Sequence, residues 1–325
     1  MKHLETLYAG LKLKNPFIVS SCSLTNSAER NKKWEVAGAS AVVLKSLFEE
    51  EIEAELAQAQ QEAHAEELDY LKTYYRAHRL ENYLQLIRDT KKVCTIPVIA
   101  SINCYRKSDW TNFARHIQEA GADALELNIM SVCSGLHDVY GTYEHEHIEI
   151  LKQVKSVVDI PVIVKLGRNF TNYVPLIDQL YANGAAAVVL FNRMVTFDIN
   201  IEKLAYAQGN ALGQSNDLSE VLRWTGLVSA RVPRLDIAAS GGVSDGSAMV
   251  KALLAGASVV EVCSALYWNG AGCIDEMLSF LQEWMVRHNF TSISQFRGMM
   301  NARKDNALDK FERTQFFKNY SSRND

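Results

Sequence analysis

The sequence lacks three features: an apolar run long enough to span a bilayer, a long basic segment, and a Cys-x-x-Cys spacing among its six cysteines. The first absence, together with an N-terminus (Met1 to Gly10) that has no basic-then-apolar secretory layout, predicts a cytoplasmic protein. The second, with a net charge of only -4, excludes nucleic acid and acidic membrane surfaces as expected partners. The third argues against a zinc ribbon, an iron-sulfur cluster and a disulfide framework. A small molecule is therefore the expected partner.

The chain does contain a repeated pattern of short apolar runs whose last residues are polar or reactive. There are eight such runs: Phe17 to Ser21, Ala41 to Ser46, Val98 to Asn103, Ala124 to Asn128, Val162 to Leu166, Ala187 to Asn192, Asp236 to Gly241 and Val259 to Ser264. Between most of them lies a stretch of helical period that ends in Gly-Ala, as at Gly38-Ala39. Each such stretch predicts a helix that ends at a glycine and leads into a buried strand.

Eight strand-helix units predict an α/β fold of the (β/α)8 TIM barrel type. A length of 325 residues with 48% hydrophobic content suits one barrel with insertions. We predict a single domain over residues 1–325, in which about 304–325 form a peripheral polar tail.

Two segments interrupt the repeat. The first, Glu49 to about Lys92, predicts a long helical insertion after strand two, and its acidic start (Glu49 to Glu55) reads as a solvated helix face. The second, Met194 to Val232, predicts a long loop after strand six with no sustained period. Such a loop is either a substrate lid or a flexible insertion.

The carboxyl ends of the predicted strands carry the candidate functional residues, because barrels of this type place their chemistry there. Gly241-Gly242 and Ser264-Ala265 follow strands seven and eight, where glycine backbone and helix-start amides commonly hold phosphate. Lys45 and Lys165 end two other strands, so each either faces an anionic ligand or reaches solvent. Asparagine, which donates and accepts hydrogen bonds, ends three more, and this composition suits a planar heterocycle. The three asparagines are Asn103, Asn128 and Asn192.

A dense group of histidines and glutamates, His145, Glu146, His147 and Glu149, has the residue types of a metal site. Histidines that share a metal on a helix are one turn apart, whereas these two are separated by two positions. We therefore predict a solvated helix end and no metal site.

In combination, several of these segments resemble the dihydroorotate dehydrogenase family, in particular its class 1 flavin barrels. The matching segments are Asn15 to Ser21, Leu44 to Ser46, Glu126 to Asn128, Val164 to Leu166, Asn192, Ser240 to Val243, Leu254 to Val262 and Ser292 to Gly298. The resemblance runs from about Leu7 to about Met300 and implies an FMN-dependent oxidoreductase of pyrimidine biosynthesis that converts dihydroorotate to orotate. It also implies a homodimer.

The resemblance implies a role for each matching position. Residues implied to contact FMN are Ser20, Ser21, Lys45, Ser46, Asn128, Lys165, Gly241, Gly242, Ser264 and Ala265, with Gly213 as a further neighbour. Asn192 is the matching position at the substrate, and Asn103, from its place at a strand end, and Arg193 are further substrate-binding candidates. Lys45 is in addition a catalytic candidate. A cation at Lys165, beside the pyrimidine end of the flavin, would stabilise the negative charge that collects there on reduction.

The catalytic base in this family lies three residues beyond the motif asparagine, which corresponds here to Ser131. A serine is a poor base unless a relay removes its proton. Cys133 stands where the family has a substrate-binding asparagine, and a two-residue shift of the loop would make Cys133 the base. Both alternatives stay open, as does the alternative that neither residue is catalytic.

The chain departs from the family where orotate is normally held. The family's Asn-Ser-Met-Gly-Leu-Pro-Asn type loop is absent and the segment Glu66 to Leu86 takes its place, while Asn192-Arg193 replaces an Asn-Ser or Asn-Thr pair. Arg193 is expected either to clamp a carboxylate or to pair with the acidic helix. Three hypotheses follow: an FMN oxidoreductase for dihydroorotate or a related dihydropyrimidine, a Schiff-base lyase that uses Lys165, and a flavin-binding protein without catalysis.

Overall fold

The barrel predicted from the eight apolar runs is confirmed. The structure, a computed structural model, describes residues 3–51, 54, 68–103, 107–130, 135–194, 196–303 and 311. The strands are β1 (Thr6–Tyr8), β2 (Leu11–Leu13), β3 (Phe17–Val19), β4 (Ala41–Val43), β5 (Leu47–Phe48), β6 (Val98–Asn103), β7 (Ala124–Asn128), β8 (Val162–Leu166), β9 (Ala187–Leu190), β10 (Phe197–Asn200), β11 (Ala205–Gln208), β12 (Asp236–Ser240) and β13 (Val259–Val262). Strands β3, β4, β6, β7, β8, β9, β12 and β13 pair in parallel in that order, and β13 returns to β3, which closes the barrel.

The helices surround this barrel. They are α1 (Ala28–Val36), α2 (Leu68–Val93), α3 (Lys107–Glu119), α4 (Thr142–Lys155), α5 (Tyr173–Ala182), α6 (Leu218–Arg231), α7 (Gly246–Ala255), α8 (Ser264–Asn269) and α9 (Gly272–Arg287). The predicted glycine ends are present: Gly256 ends α7 with a φ of 118° and Gly38 follows α1 with a φ of 113°. A side chain is strained at such angles, so glycine lets the chain turn directly into the next strand.

The barrel interior has an apolar lower half and a polar upper half. Because successive side chains of a strand point to opposite faces, every second residue faces inward. Ile18, Ile99 and Ile163 belong to the apolar interior cluster, which the Tyr8 and Ala9 turn of the β1-β2 hairpin closes from below. Two positions further along the same strands, the buried residues are Ser20, Ser101 and Lys165. The polar layer therefore lies directly beneath the mouth at which the strands end.

The segment after β4 contains the short strand β5 and the long helix α2, in agreement with a helical insertion. The predicted solvated face is wrong for Glu49, whereas Glu50 is exposed and Glu51 is partly exposed. Glu49 is fully buried and pairs with Arg76 at 3.0 Å, and Glu51 pairs with Lys45 at 2.5 Å. These carboxylates are held by cations of the insertion and the barrel, which composition alone did not indicate. Residues 52, 53 and 55–67 lie outside the described residues.

The segment after β9 is more regular than the absence of a sustained period suggested. It begins with the antiparallel hairpin β10-β11, whose strands are mostly exposed, and ends with α6. Leu218, Val221, Thr225 and Val228 are buried along α6 at helical spacing. None of the helices in the described ranges is long and apolar enough to cross a membrane. The predicted polar tail lies outside the described residues except for Phe311.

Candidate active site at the mouth of the barrel

The predicted site residues that the structure describes lie together at the carboxyl ends of the strands. They line two adjoining cavities that share Ser21, Lys165, Asn192 and Arg193. The remaining members of the first cavity are Ser20, Gly213, Gly241, Gly242, Ser264 and Ala265, and those of the second are Lys45, Ser46, Asn103 and Asn128. The two cavities form one cleft across the barrel mouth.

A buried lysine between two buried glutamates forms the floor of this cleft. The Nζ atom of Lys165 is 3.3 Å from Oε1 of Glu126 and 3.1 Å from Oε2 of Glu261, and it donates to Oγ of Ser20 at 3.2 Å. Both carboxylates are fully inaccessible to solvent. A buried cation that meets two buried anions leaves an excess negative charge unless one carboxyl group keeps its proton.

The electrostatics of this triad assign the proton to Glu126. Burial, followed by the negative charge of Glu261, raises the pKa of Glu126 to about 8. Burial alone would lower the pKa of Lys165, but the two carboxylates outweigh it, so the pKa of Lys165 is raised. A Schiff-base lysine needs a lowered pKa to be a nucleophile at neutral pH. The environment of Lys165 therefore argues against the lyase hypothesis.

A chain of serine hydroxyls links this triad to the opposite wall of the cleft. The hydroxyl oxygens of Ser21 and Ser46 are 3.0 Å apart, and those of Ser46 and Ser101 are 2.7 Å apart. Ser101 donates to Oε1 of Glu126 at 3.4 Å. Each hydroxyl can both donate and accept, so the chain can reorient as the charge in the cleft changes.

Two of the three strand-end asparagines contact each other above the floor. Asn192 donates to Oδ1 of Asn128 at 2.8 Å and to the sulfur of Met130 at 2.9 Å. Asn103 lines the same cavity. Lys45 also lines it, although its Nζ is paired with Glu51. The structure therefore adds a carboxylate partner that the implied role of Lys45 did not include.

The opposite end of the cleft has the geometry of an anion site. Gly241 and Gly242 have φ angles of 104° and 73°. A Cβ atom at Gly242 would lie 2.2 Å from the backbone nitrogen of Leu218, and one at Gly241 would lie 2.7 Å from Nη2 of Arg168. At Gly242 only glycine leaves room for the start of α6, and at Gly241 the positive φ itself favours glycine beside the Arg168 guanidinium. The cation beside this turn complements an anionic group.

Arg193 is held at the same end of the cleft by groups other than the acidic run before α2. Its Nη1 donates to Oδ2 of Asp217 at 2.9 Å, and its Nη2 donates to the carbonyl oxygen of Asn210 at 2.8 Å. Asp217 also accepts from Arg168 at 3.3 Å. Gly213 donates its backbone N-H to Oγ of Ser264 at 2.8 Å. Asp217 thus holds two guanidinium groups beside the glycine turn.

His147 is not at a solvated helix end, which corrects the prediction for that residue. It is fully buried, and its two ring nitrogens lie 2.8 Å from the Tyr143 carbonyl oxygen and 3.2 Å from the Ile129 carbonyl oxygen. Burial lowers the pKa of His147. Ile129 is two residues before Ser131, so His147 holds the start of the loop that carries both candidate bases. Ser131 and Cys133 themselves lie outside the described residues.

Four further residues of this site were missed: Glu126, Glu261, Arg168 and Asp217. The signal for the glutamates was present, because each is a lone charge at an inward position of an apolar strand. Arg168 lies in the loop after β8, and Asp217 lies directly before α6. Neither position has a hydrophobic period in the sequence, and only the folded chain brings both residues to Gly241. Among the described residues, no group of three or more histidine, cysteine, aspartate or glutamate side chains is arranged to hold a metal.

The donor groups in the cleft fit FMN. The phosphate end offers positive-φ glycines and a guanidinium, and the floor offers an ammonium. Nε of Arg168 is buried at the lining of the first cavity, and among the described residues it has no hydrogen-bond partner. Unpaired buried polar atoms that line a cavity are suited to a polar ligand.

Comparisons with known proteins show the family of this chain. A sequence profile described as "Dihydroorotate dehydrogenase" matches residues 3–285. A protein of Thermoplasma volcanium is 28% identical over 308 residues, which cover 92% of this chain and 99% of that protein. A protein of Methanosarcina mazei is 29% identical over 313 residues, 91% of this chain and 95% of its own. One of Methanocella arvoryzae is 30% identical over 275 residues, 79% and 85%. All three are named "Dihydroorotate dehydrogenase B (NAD(+)), catalytic subunit".

Proposed function

The chain belongs to the dihydroorotate dehydrogenase family of oxidoreductases acting on CH-CH donors, and we propose that it binds FMN across the barrel mouth to oxidise a dihydropyrimidine-type ring. Dihydroorotate is the first candidate substrate. The observation that carries the proposal is the single cleft in which a glycine turn with Arg168, a buried lysine floor and paired asparagines are combined.

Different residues of the cleft would contact different parts of the cofactor. Gly241, Gly242 and Arg168 would hold the phosphate, while Lys165 and Asn128 would face the polar edge of the ring. When bound, FMN would supply the hydride acceptor. With Glu126 protonated, Lys165 and Glu261 form a neutral pair, so the floor can accept negative charge without an excess of carboxylate.

The substrate side is proposed to lie at the second cavity. Asn103 and Asn192 line it and would hydrogen-bond the N-H and C=O groups of the ring. Arg193 lines both cavities, and its contact with Asp217 keeps the guanidinium partly neutralised. A substrate carboxylate there would compete with Asp217. This differs from the family's loop for orotate, so substrates without that carboxylate belong in the test panel.

The first experiment is the visible absorption spectrum of the purified protein, followed by anaerobic addition of dihydroorotate. A flavin spectrum that bleaches would support both the cofactor and the substrate. A flavin spectrum that persists with dihydroorotate but bleaches with another dihydropyrimidine would keep the reaction class and replace the substrate. A colourless protein that cannot be reconstituted with FMN would refute the proposal. Because the relatives' name specifies NAD(+), NADH is a second reductant to add.

We predict that Lys165→Ala weakens FMN binding or slows flavin reduction, because it removes the cation beneath the ring. The same change leaves buried carboxylates without their cation. Removal of one partner of a buried ion pair lowers the free energy of unfolding by about 3–5 kcal/mol. The double variant Lys165→Met/Glu261→Gln removes the cation and one anion together and should keep the fold. Lys152→Ala, on the exposed face of α4, is the matched control. Equal FMN affinity and reduction rates in all four proteins would remove Lys165 from the flavin site.

For the base, we predict that only one of Ser131→Ala and Cys133→Ala abolishes turnover while FMN stays bound. Proton removal by a positioned side chain contributes about 10²- to 10⁴-fold in rate. The true base should therefore cause a loss of that size in the rate of flavin reduction. Ser134→Ala serves as the neighbouring control. Full activity in both variants would mean that neither residue is the base.

We also propose that the chain forms a homodimer, as the resemblance implies. The relatives' name adds the words "catalytic subunit". A complex with a second kind of chain is therefore the alternative to a homodimer when the mass of the purified protein is measured by light scattering.

A further inference from the structure

Two cysteines meet at the rim of the cleft, and the proposed reaction uses neither. Strands β3 and β13 are neighbours in the barrel, with Val19 opposite Val262. Cys263 directly follows Val262, and Cys22 lies three residues after Val19. The two thiols are hydrogen bonded to each other. Both are partly exposed, and each lines one of the two cavities.

We infer that Cys22 and Cys263 form a redox-active dithiol that small-molecule disulfides convert to an intramolecular disulfide. The two thiols interact with each other and follow neighbouring strands at the rim of the cleft, which is the placement that a disulfide between them requires. Both thiols face a cleft that admits small molecules. The inference does not depend on FMN, because it concerns only side chains of this chain.

The groups around Cys22 stabilise its thiolate. The hydrogen bond from Cys263 is the main cause that lowers the pKa of Cys22 to about 7, against the opposing effect of burial. The backbone at Leu24, the Tyr267 side chain and the charge of Lys165 act in the same direction. Hydrogen bonding to Cys22, and then burial, raise the pKa of Cys263, so Cys263 is the thiol partner. Such a division into one thiolate and one resolving thiol is typical of exchange-active pairs.

The two other described cysteines show the contrasting case of a structural thiol. Cys94 and Cys273 are buried, and burial raises the pKa of each to about 11. Both should react slowly with disulfides at neutral pH. They supply internal controls within the same protein.

The exchange balances as two steps. The Cys22 thiolate attacks one sulfur of the small-molecule disulfide, so a mixed disulfide forms and one thiolate leaves. Cys263 then loses its proton to solvent and attacks the Cys22 sulfur, which releases the second thiol. Overall the two protein thiols are oxidised to one disulfide, and the small-molecule disulfide is reduced to two thiols.

The test is incubation of the reduced full-length protein with oxidised glutathione, followed by alkylation and peptide mapping. We expect a peptide pair linked through Cys22 and Cys263. Cys22 should react on the order of tens of times faster than Cys94 at pH 7, given their pKa values. Cys263→Ser should accumulate the glutathione adduct on Cys22, and Cys22→Ser should leave Cys263 unmodified. Cys94→Ser and Cys273→Ser should behave as the wild type.

Three outcomes would overturn the inference. The first is a glutathione adduct on Cys22 that persists in the wild type as it does in Cys263→Ser. The second is reaction of Cys22 no faster than that of Cys94. The third is a disulfide that joins Cys22 to Cys104 or Cys133 instead of Cys263. Because the readout is a protein disulfide and depends on neither flavin reduction nor substrate, its failure leaves the proposed function untouched, and failure of the proposed function leaves the dithiol untouched.

Discussion

At the scale of single residues, the charge state of Glu126 decides what the cleft floor can do. Glu126 and Glu261 share one ammonium group, so the triad is neutral only while one carboxyl group is protonated. A raised pKa of about 8 means that Glu126 loses its proton within the pH range in which enzymes work. Deprotonation would add a negative charge below the ring that is proposed to be reduced.

We predict that Glu126→Gln removes a pH-dependent component of stability. The folded pKa of Glu126, about 8, lies above its ordinary value of 4.5, so the folded state keeps a proton that the unfolded chain releases. The free energy of unfolding of the wild type should therefore fall as pH rises from about 4.5 to about 8, and Gln should abolish that fall. With about 1.4 kcal/mol per pKa unit, the effect is on the order of a few kcal/mol. Urea unfolding at pH 5, 6.5 and 8 measures it.

The matched control for this prediction is Glu202→Gln, an exposed glutamate between β10 and β11. It should keep the pH slope of the wild type. Lys165 does not obscure the comparison, because a raised lysine pKa changes stability only above its ordinary value of 10.5. If wild type and Glu126→Gln show the same slope between pH 5 and 8, Glu126 is ionised in the folded protein.

The residue scale also shows where the sequence was sufficient and where it was not. Asn128, Lys165 and Gly241 could be placed at the site because each ends a buried apolar run, and strand ends meet at one face of a barrel. Their partners could not be placed. Arg168 reaches Gly241 from another loop, and Asp217 reaches Arg168 from the start of α6. Such contacts depend on loop paths, which no local pattern encodes.

At the scale of elements, burial explains which ones the sequence predicted. The barrel strands are buried on both faces and therefore read as continuous apolar runs. The β10-β11 hairpin carries no burial pattern, because both strands are largely exposed. The position of the predicted long segment after strand six is thus correct, but no hydrophobic pattern in the sequence indicated the hairpin within it. Helix α6 was missed because Gly226 interrupts a run that is otherwise helical.

The exposed hairpin leads to a prediction about assembly. Monomeric proteins rarely leave a contiguous group of large apolar side chains in water. Phe197, Ile199, Ile201, Leu204 and Tyr206 are more than half exposed on this hairpin and its turn. We predict that a second copy of the chain covers them, so that Phe197→Ser/Tyr206→Ser shifts the mass measured by light scattering from dimer toward monomer.

The control for the hairpin uses another exposed apolar pair. Leu136 and Val139 lie in the loop before α4 and are exposed to a similar degree. Leu136→Ser/Val139→Ser should leave the mass unchanged. A wild type that is monomeric at micromolar concentration would contradict the homodimer itself. A dimer that survives the hairpin change but not the loop change would move the interface elsewhere.

At the scale of the whole molecule, the closed barrel brings distant parts of the sequence into one cleft. Ser20 and Glu261 are far apart in sequence, yet they are bonded at 3.1 Å because β13 closes onto β3. A ligand that spans this cleft contacts several strand ends at once. It should therefore stabilise the barrel as a unit, in proportion to the logarithm of its concentration over its Kd.

We predict that FMN stabilises the protein more than riboflavin does, and that Arg168→Met removes the difference. Riboflavin has the same ring but no phosphate, so the comparison isolates the anion site at Gly241 and Arg168. At about 100 times its Kd, a ligand adds about 2.7 kcal/mol to the free energy of unfolding, which a thermal melt resolves.

Arg168→Met leaves Asp217 paired with Arg193, so the start of α6 should stay in place. The melting temperature with riboflavin should then be unchanged by the substitution, while that with FMN falls to the riboflavin value. If riboflavin stabilises the wild type as much as FMN does, the glycine turn is not a phosphate site, and the cleft binds its ligand through the floor alone.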